Sequence, residues 1–127
     1  MNRVVLDASA IIAAIGSEPG ADIVLEQISN AAVSTVNLAE VKSKLVDSGF
    51  PPADAWEAAV SFSREIFDFD SRQADVAGGL ISSTRHLGLS LGDRSCLALA
   101  LILKAPVYTA DRDWTKLDLG LDIRLVR

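Results

Sequence analysis

Residues 92–114, GDRSCLALALILKAPVYTADRDW, pass from one kind of secondary structure to another almost without a break. From Gly92 to Lys104 the side chains are apolar nearly all round, which predicts a helix buried on most of its faces. Pro106 cannot continue that helix, and Val107, Tyr108 and Thr109 have the β-branched and aromatic character of a strand. The strand runs into a carboxylate, Asp111, and a second follows at Asp113. The start of the chain repeats the arrangement. Residues 2–6, NRVVL, predict a short buried strand that leads directly to Asp7 and then to an Ala- and Ile-rich helix ending near Gly16.

The same reading extends over the remaining sequence. Pro19 and Gly20 suit the opening of a helix over 21–28, and residues 32–34 suit a second strand. Thr35 is a plausible N-cap for a helix reaching Gly49. Pro51 and Pro52 fit the first turn of another helix, with Ala55, Ala59 and Phe62 at helical spacing. A strand is expected over 66–69 and a helix over 71–87, with Gly78 and Gly79 unfavourable in its middle. A short helical turn over 113–117 and a last strand over 123–126 complete the chain. Strands that alternate with helices, several of them continuously apolar, predict α/β architecture with a mainly parallel sheet covered on both sides. The length suits one domain, residues 1–127.

Half of the 127 residues are hydrophobic and 23% are charged, a globular composition rather than a disordered one. Twelve Lys and Arg against 17 Asp and Glu leave a net charge of -5, so the overall field does not attract nucleic acid or anionic membrane. A local basic rim or a bound cation can still reverse the sign nearby. The single cysteine, Cys96, has no partner for an internal disulfide. No signal peptide is read at the start, and the longest apolar run, Cys96 to Leu103, is too short to span a bilayer. A cytoplasmic protein without a membrane segment is the expectation.

Ligands of open parallel α/β sheets bind beyond the carboxyl ends of the strands, where Asp7 and Asp111 both fall. Each acid also has a plainer reading. Asp7 suits the N-cap of the helix after it, Asp111 a cap or turn, and Asp113 a first-turn acid favoured by the helix dipole. Asp93 begins the interior helix and has the same explanation. Glu40 lies opposite the apolar stripe of Leu38, Val41 and Leu45, and an exposed pair with Lys44 would account for it completely. The lone His86 reads as a surface residue near a helix end, without a catalytic role.

Three stretches, VVLDASAIIA, AVSTVNLAEVKSKL and LSLGDRSCLALALILKAPVYTADRDW, resemble the PIN domain family, and more narrowly the VapC-type toxins of toxin–antitoxin pairs. The resemblance covers nearly the whole chain, in order. It implies a three-layer α/β/α sandwich and a ribonuclease site of carboxylates that bind Mg2+ or Mn2+. The matching acids are Asp7, Glu40, Asp93 and Asp111. Asp113 matches a further acid that accompanies the last of them, and Ser9 a small hydroxyl residue that supports the first. Ala110 departs from the Asn frequent in relatives, and Trp114 from the commoner Phe. The resemblance also implies a homodimer and a cognate antitoxin that blocks the site.

The chemistry agrees with the residue types. Hard divalent ions prefer oxygen ligands, activate water and neutralise charge on phosphoryl oxygens. Two carboxylates about 5 Å apart repel by about 3 kcal/mol at an effective dielectric of about 20, so clustered acids call for protons or a cation. Water attack, leaving a 5′-phosphate and a 3′-hydroxyl, is the expected reaction. Arg94, Arg112 and Lys42 adjoin the matching acids and are candidates for RNA contact or for ordinary surface charge. A haloacid-dehalogenase-like phosphatase would need an Asp where Ser9 stands, and a receiver domain would need paired acids near the first strand. The rival class is a PIN-like interaction module of weak or absent catalysis, for which residues 50–69 offer mixed apolar and charged surface.

Overall fold

Val4–Leu6 form β1, the central strand of the computed structural model, which describes residues 2–127. Met1, the first residue of the expected domain, lies outside them. After β1 come α1 (Ala8–Ile15), α2 (Ala21–Glu26), β2 (Ala31–Ser34), α3 (Thr35–Asp47), α4 (Pro52–Val60) and β3 (Glu65–Phe67). The second half contains α5 (Ser71–Gly79), α6 (Ile81–Thr84), α7 (Leu91–Leu103), β4 (Val107–Thr109) and β5 (Ile123–Leu125). The five strands are all parallel, in the order β3-β2-β1-β4-β5. Val5 stands opposite Ala32 on one side and Val107 on the other.

Side chains alternate across the strands and divide the core in two. Val4, Leu6, Ala31, Val33 and Tyr108 face a layer built from α1 to α4. Val5, Ala32 and Val107 face α5 and α7, where Leu97, Leu99 and Trp114 are buried. The result is the three-layer α/β/α sandwich expected from the resemblance. Burying side chains the size of Leu6, Ile11 or Leu97 stabilises a fold by about 2–3 kcal/mol each. Trp114 is fully buried, so it packs the core.

Local chemistry sets the element ends. Asp7 caps α1, its Oδ1 accepting from the Ala10 amide at 2.8 Å. Asp70 caps α5 in the same way. Ser90 and Asp93 form a reciprocal capping box at the start of α7, which begins one residue before the expected helix. α3 is capped by Ser34 and not by Thr35; the Thr35 hydroxyl instead accepts from the Phe69 amide. The strand expected over 66–69 is β3, at 65–67. The helix expected over 71–87 is interrupted. α5 stops at Gly79, and α6 and a 3-10 turn at Arg85–Leu87 follow. Two consecutive glycines weaken a helix interior at that point, and Thr84 bonds back to the Leu80 carbonyl at 2.8 Å. No helix among the described residues is long and apolar enough to cross a membrane.

From β1 the chain proceeds outward through β2 to β3, then crosses to β4 and β5 on the other side. The direction of strand order reverses between β1 and β4. Open parallel sheets form their ligand crevice at the carboxyl ends of the strands where this happens. Asp7 follows β1 and Asp111 lies two residues beyond β4.

Candidate active site at the carboxyl edge of the sheet

Asp7 is the only carboxylate among the fully buried polar residues of the described chain, at 4% exposure. Its oxygens accept from Ser9 Oγ at 2.7 and 2.9 Å, from Thr109 Oγ1 at 2.6 Å and from the Ala10 amide. Loss of water around the carboxylate outweighs these bonds. Burial pushes its pKa from 3.8 to about 6, against the lowering by Thr109, Ser9 and Ala10, and the charge of Asp93 raises it further.

The two hydroxyls tie β1 to β4. Thr109 Oγ1 accepts from the Asp111 amide at 3.0 Å, and Ser9 Oγ accepts from the Ala110 amide at 2.9 Å. Asp111 thus meets the Asp7 group through its main chain, while its exposed carboxylate accepts from the Asp113 amide. Asp113 is exposed and pairs with Lys116 at 3.1 Å.

From the other side, Glu40 on α3 and Asp93 on α7 approach the same place. Glu40 does not pair with Lys44, and its flank of α3 is not solvated surface. The carboxylate lies against the backbone of Gly92 in the first turn of α7 and accepts from Asn37 Nδ2 at 2.9 Å. Cys96, one turn further into α7, feels the convergence: its thiol pKa is raised by burial and then by the charges of Asp7, Asp93 and Glu40. The structure therefore brings Glu40 against the first turn of α7, where Asp93 stands, and sets Asp93 near enough to Asp7 to raise its pKa, with Ser9 bonded to Asp7. It joins Asp111 by its backbone and leaves Asp113 at the periphery.

The donor set suits a hard divalent cation: it is all oxygen, and much of it is free. Glu40, Asp93 and Asp111 each use one carboxylate oxygen in a local bond and leave the other without a protein partner among the described residues. No three His, Cys, Asp or Glu side chains stand close enough together to grip one ion in this arrangement, again among the described residues. The residues fit such an ion by the chemistry of their donors.

The three candidate RNA contacts differ in placement. Arg112 is exposed and Lys42 half-buried. Arg94 Nη1 donates to the Ala77 carbonyl of α5 at 3.0 Å, and its Nε is buried without a partner, so that guanidinium supports packing between α5 and α7. Sequence reasoning missed Thr109 and Asn37. Thr109 read as a strand former, although its position two before Asp111 was a usable signal. Asn37 was assigned no role, although it stands three residues before Glu40, the spacing at which helical side chains meet.

The PIN domain family model matches residues 4–119. Among solved structures, the VapBC2 complex of Rickettsia felis bound to a promoter DNA fragment contains a chain 19% identical, with 96% of this chain and 97% of that one covered and a TM-score of 0.75. DNA-bound VapBC from Salmonella typhimurium gives 16% identity, full coverage of both chains and a TM-score of 0.77. A toxin–antitoxin complex from Klebsiella pneumoniae gives 18%, 98% of each chain and 0.73. At such identities these likenesses concern the fold. No curated protein sequence matches the chain.

Proposed function

We propose, because the chain belongs to the PIN domain family, that it is a metal-dependent endoribonuclease, the toxin of a toxin–antitoxin pair silenced by a cognate antitoxin. The observation that carries this reading is Asp7: an acid buried at the switch point of a parallel sheet, with a raised pKa to which the charge of Asp93 contributes. Structures of similar fold that are themselves toxin–antitoxin complexes support the assignment of the partner. An enzyme acting on cellular RNA belongs in the cytoplasm.

Asp7, Glu40, Asp93 and Asp111 would hold Mg2+ or Mn2+, with Asp113 at the outer edge. Such an ion supplies charge neutralisation at the phosphoryl oxygens and a more acidic bound water. The chain's own contribution is to fix the donors. Ser9 and Thr109 hold the Asp7 carboxylate in one orientation, and a bound cation would take the place of its proton, which would leave to water. Arg112 and Lys42 at the rim offer phosphate contacts to RNA, whose recognition would rest on single-stranded bases and local shape. The products are a 5′-phosphate and a 3′-hydroxyl. Exposed apolar side chains on the α3–α4 hairpin, Val46, Phe50 and Trp56, support a covered surface there, in a homodimer or under the antitoxin.

A second reading is a PIN-like interaction module with weak or absent catalysis. The wide spacing of the acidic side chains favours it. One experiment separates the two. Purified protein is incubated with total RNA and Mg2+, Mn2+ or chelator, the ends are mapped, and Asp7→Asn and Asp93→Asn are compared with wild type. The nuclease reading expects metal-dependent cuts with 5′-phosphate ends, lost in both variants. Equal cleavage by the variants, or ends carrying cyclic phosphate, would overturn it.

A further inference from the structure

We infer that Asn37 and Gly92 are positioning residues that clamp Glu40 of α3 against the first turn of α7; as a statement about catalysis this rests on the nuclease reading above. Asn37 is 1% exposed. Its Nδ2 donates to Glu40 Oε1 at 2.9 Å and to the Gly92 carbonyl at 3.0 Å. Both partners are acceptors, so only the amide nitrogen can face them, and both of its hydrogens are used. Asn37 Oδ1 is left buried with no donor among the described residues. A buried amide oxygen without a donor costs stability, so what Asn37 contributes lies in the two bonds its nitrogen makes.

Gly92 completes the clamp from the opposite side. A β-carbon there would overlap the Glu40 carboxylate, with Oε1, Cδ and Oε2 as its three nearest neighbours. The backbone of Gly92 is helical and needs no unusual dihedral. The glycine is required by close approach and not by conformation. Asp93, the next residue, is fixed by the capping box. Gly92 therefore sets how near Glu40 comes to Asp93, and Asn37 holds it there.

The overlap is with the far end of a flexible side chain. Gly92→Ala should displace the carboxylate while leaving the fold intact, with a urea midpoint near that of wild type. In chelator, without any ion, the side-chain amide hydrogens of Asn37 should exchange slowly with water in wild type and at least tenfold faster in Gly92→Ala. By titration calorimetry, Mn2+ should bind Gly92→Ala at least tenfold more weakly than wild type. In a Glu40→Ala background the same substitution should change Mn2+ affinity less than twofold, since the group it displaces is gone. Glu40→Asp, one methylene shorter, should recover part of the loss in Gly92→Ala. If Gly92→Ala does not fold, Asn37→Ala carries the same calorimetric test. Unchanged amide exchange in Gly92→Ala overturns the clamp whatever the ion does, and so does an equal loss of affinity in the Glu40→Ala background. Wild type that binds no Mn2+ and cleaves no RNA overturns the nuclease reading instead, and the amide exchange still decides the clamp.

Discussion

In the metal-free protein Asp7→Asn should gain stability relative to wild type as pH rises. The carboxyl binds its proton at about 6 in the folded chain against 3.8 as the ordinary value. The ionised form therefore costs the folded state about 3 kcal/mol once both states are fully deprotonated. The sign follows from the raised value. Below 3.8 the group is protonated in both states and costs nothing. The penalty accumulates as pH rises toward the folded value and is constant above it. About 2 kcal/mol of it falls between about pH 4.5 and about pH 7.5.

Asparagine keeps the shape and cannot ionise. Its constant cost, from exchanging an acceptor for a donor opposite Ser9 and Thr109, is the same at every pH. The assay is urea unfolding of wild type and variant in chelator across that range, reading the difference between them so that other titrations cancel. A gap that widens by about 2 kcal/mol in favour of the variant is expected. A gap constant to within about 0.5 kcal/mol, well under the expected change, would refute the argument that Asp7 is held against its ionisation. With Mn2+ present the order should reverse, because an ion that binds only the folded wild type stabilises it. Its apparent affinity should fall about tenfold per pH unit below the folded value, as Asp7 takes up its proton.

Two further outcomes test neighbouring parts of the site. Thr109→Val preserves shape but removes the donor to Asp7 and the acceptor for the Asp111 amide; it should cost about 1–3 kcal/mol by urea unfolding and raise the Asp7 pKa further, read from the carboxyl carbon shift in NMR titration. Arg112→Ala should weaken RNA binding and reduce the steepness of its salt dependence by about one, measured by filter binding in the Asp7→Asn background, where cleavage should be lost, whereas Arg94→Ala should lower stability and leave that slope unchanged.

The sheet was legible because parallel strands buried on both faces are short apolar runs, and Pro106 and the Gly and Pro clusters mark where helices stop. What eluded local pattern was decided at long range. Strand order is one such case. No residue near Val4 or Val107 announces that β1 and β4 are neighbours across 100 positions, yet this adjacency creates the switch point at which Asp7 stands. Glu40 is another. Helical periodicity assigns a residue to a face by counting outward from the apolar stripe, and by that count Glu40 belonged to solvent. α3 is flanked by α7, however, and a polar flank pressed on a neighbouring helix is indistinguishable in sequence from one bathed in water. Asn37 and Gly92, which make that contact possible, look respectively like a weak helix former and a helix-start residue until α7 is placed beside them.

The same distinction bears on Asp7 itself. As an N-cap it needs no further explanation, since it does accept from the Ala10 amide. A cap, however, is ordinarily exposed, and the helix dipole there favours the negative charge and lowers the carboxyl pKa. Asp7 has that dipole, a capping bond and two hydroxyl donors, and its pKa is still raised to about 6. Ser or Asn would cap α1 without any ionisation penalty, as Ser34 caps α3. The capping role is thus real but does not account for a carboxylate at this position. What a carboxylate offers there, and a hydroxyl or amide does not, is a full negative charge felt by Asp93, and under the proposed function a cation would turn this burden into binding.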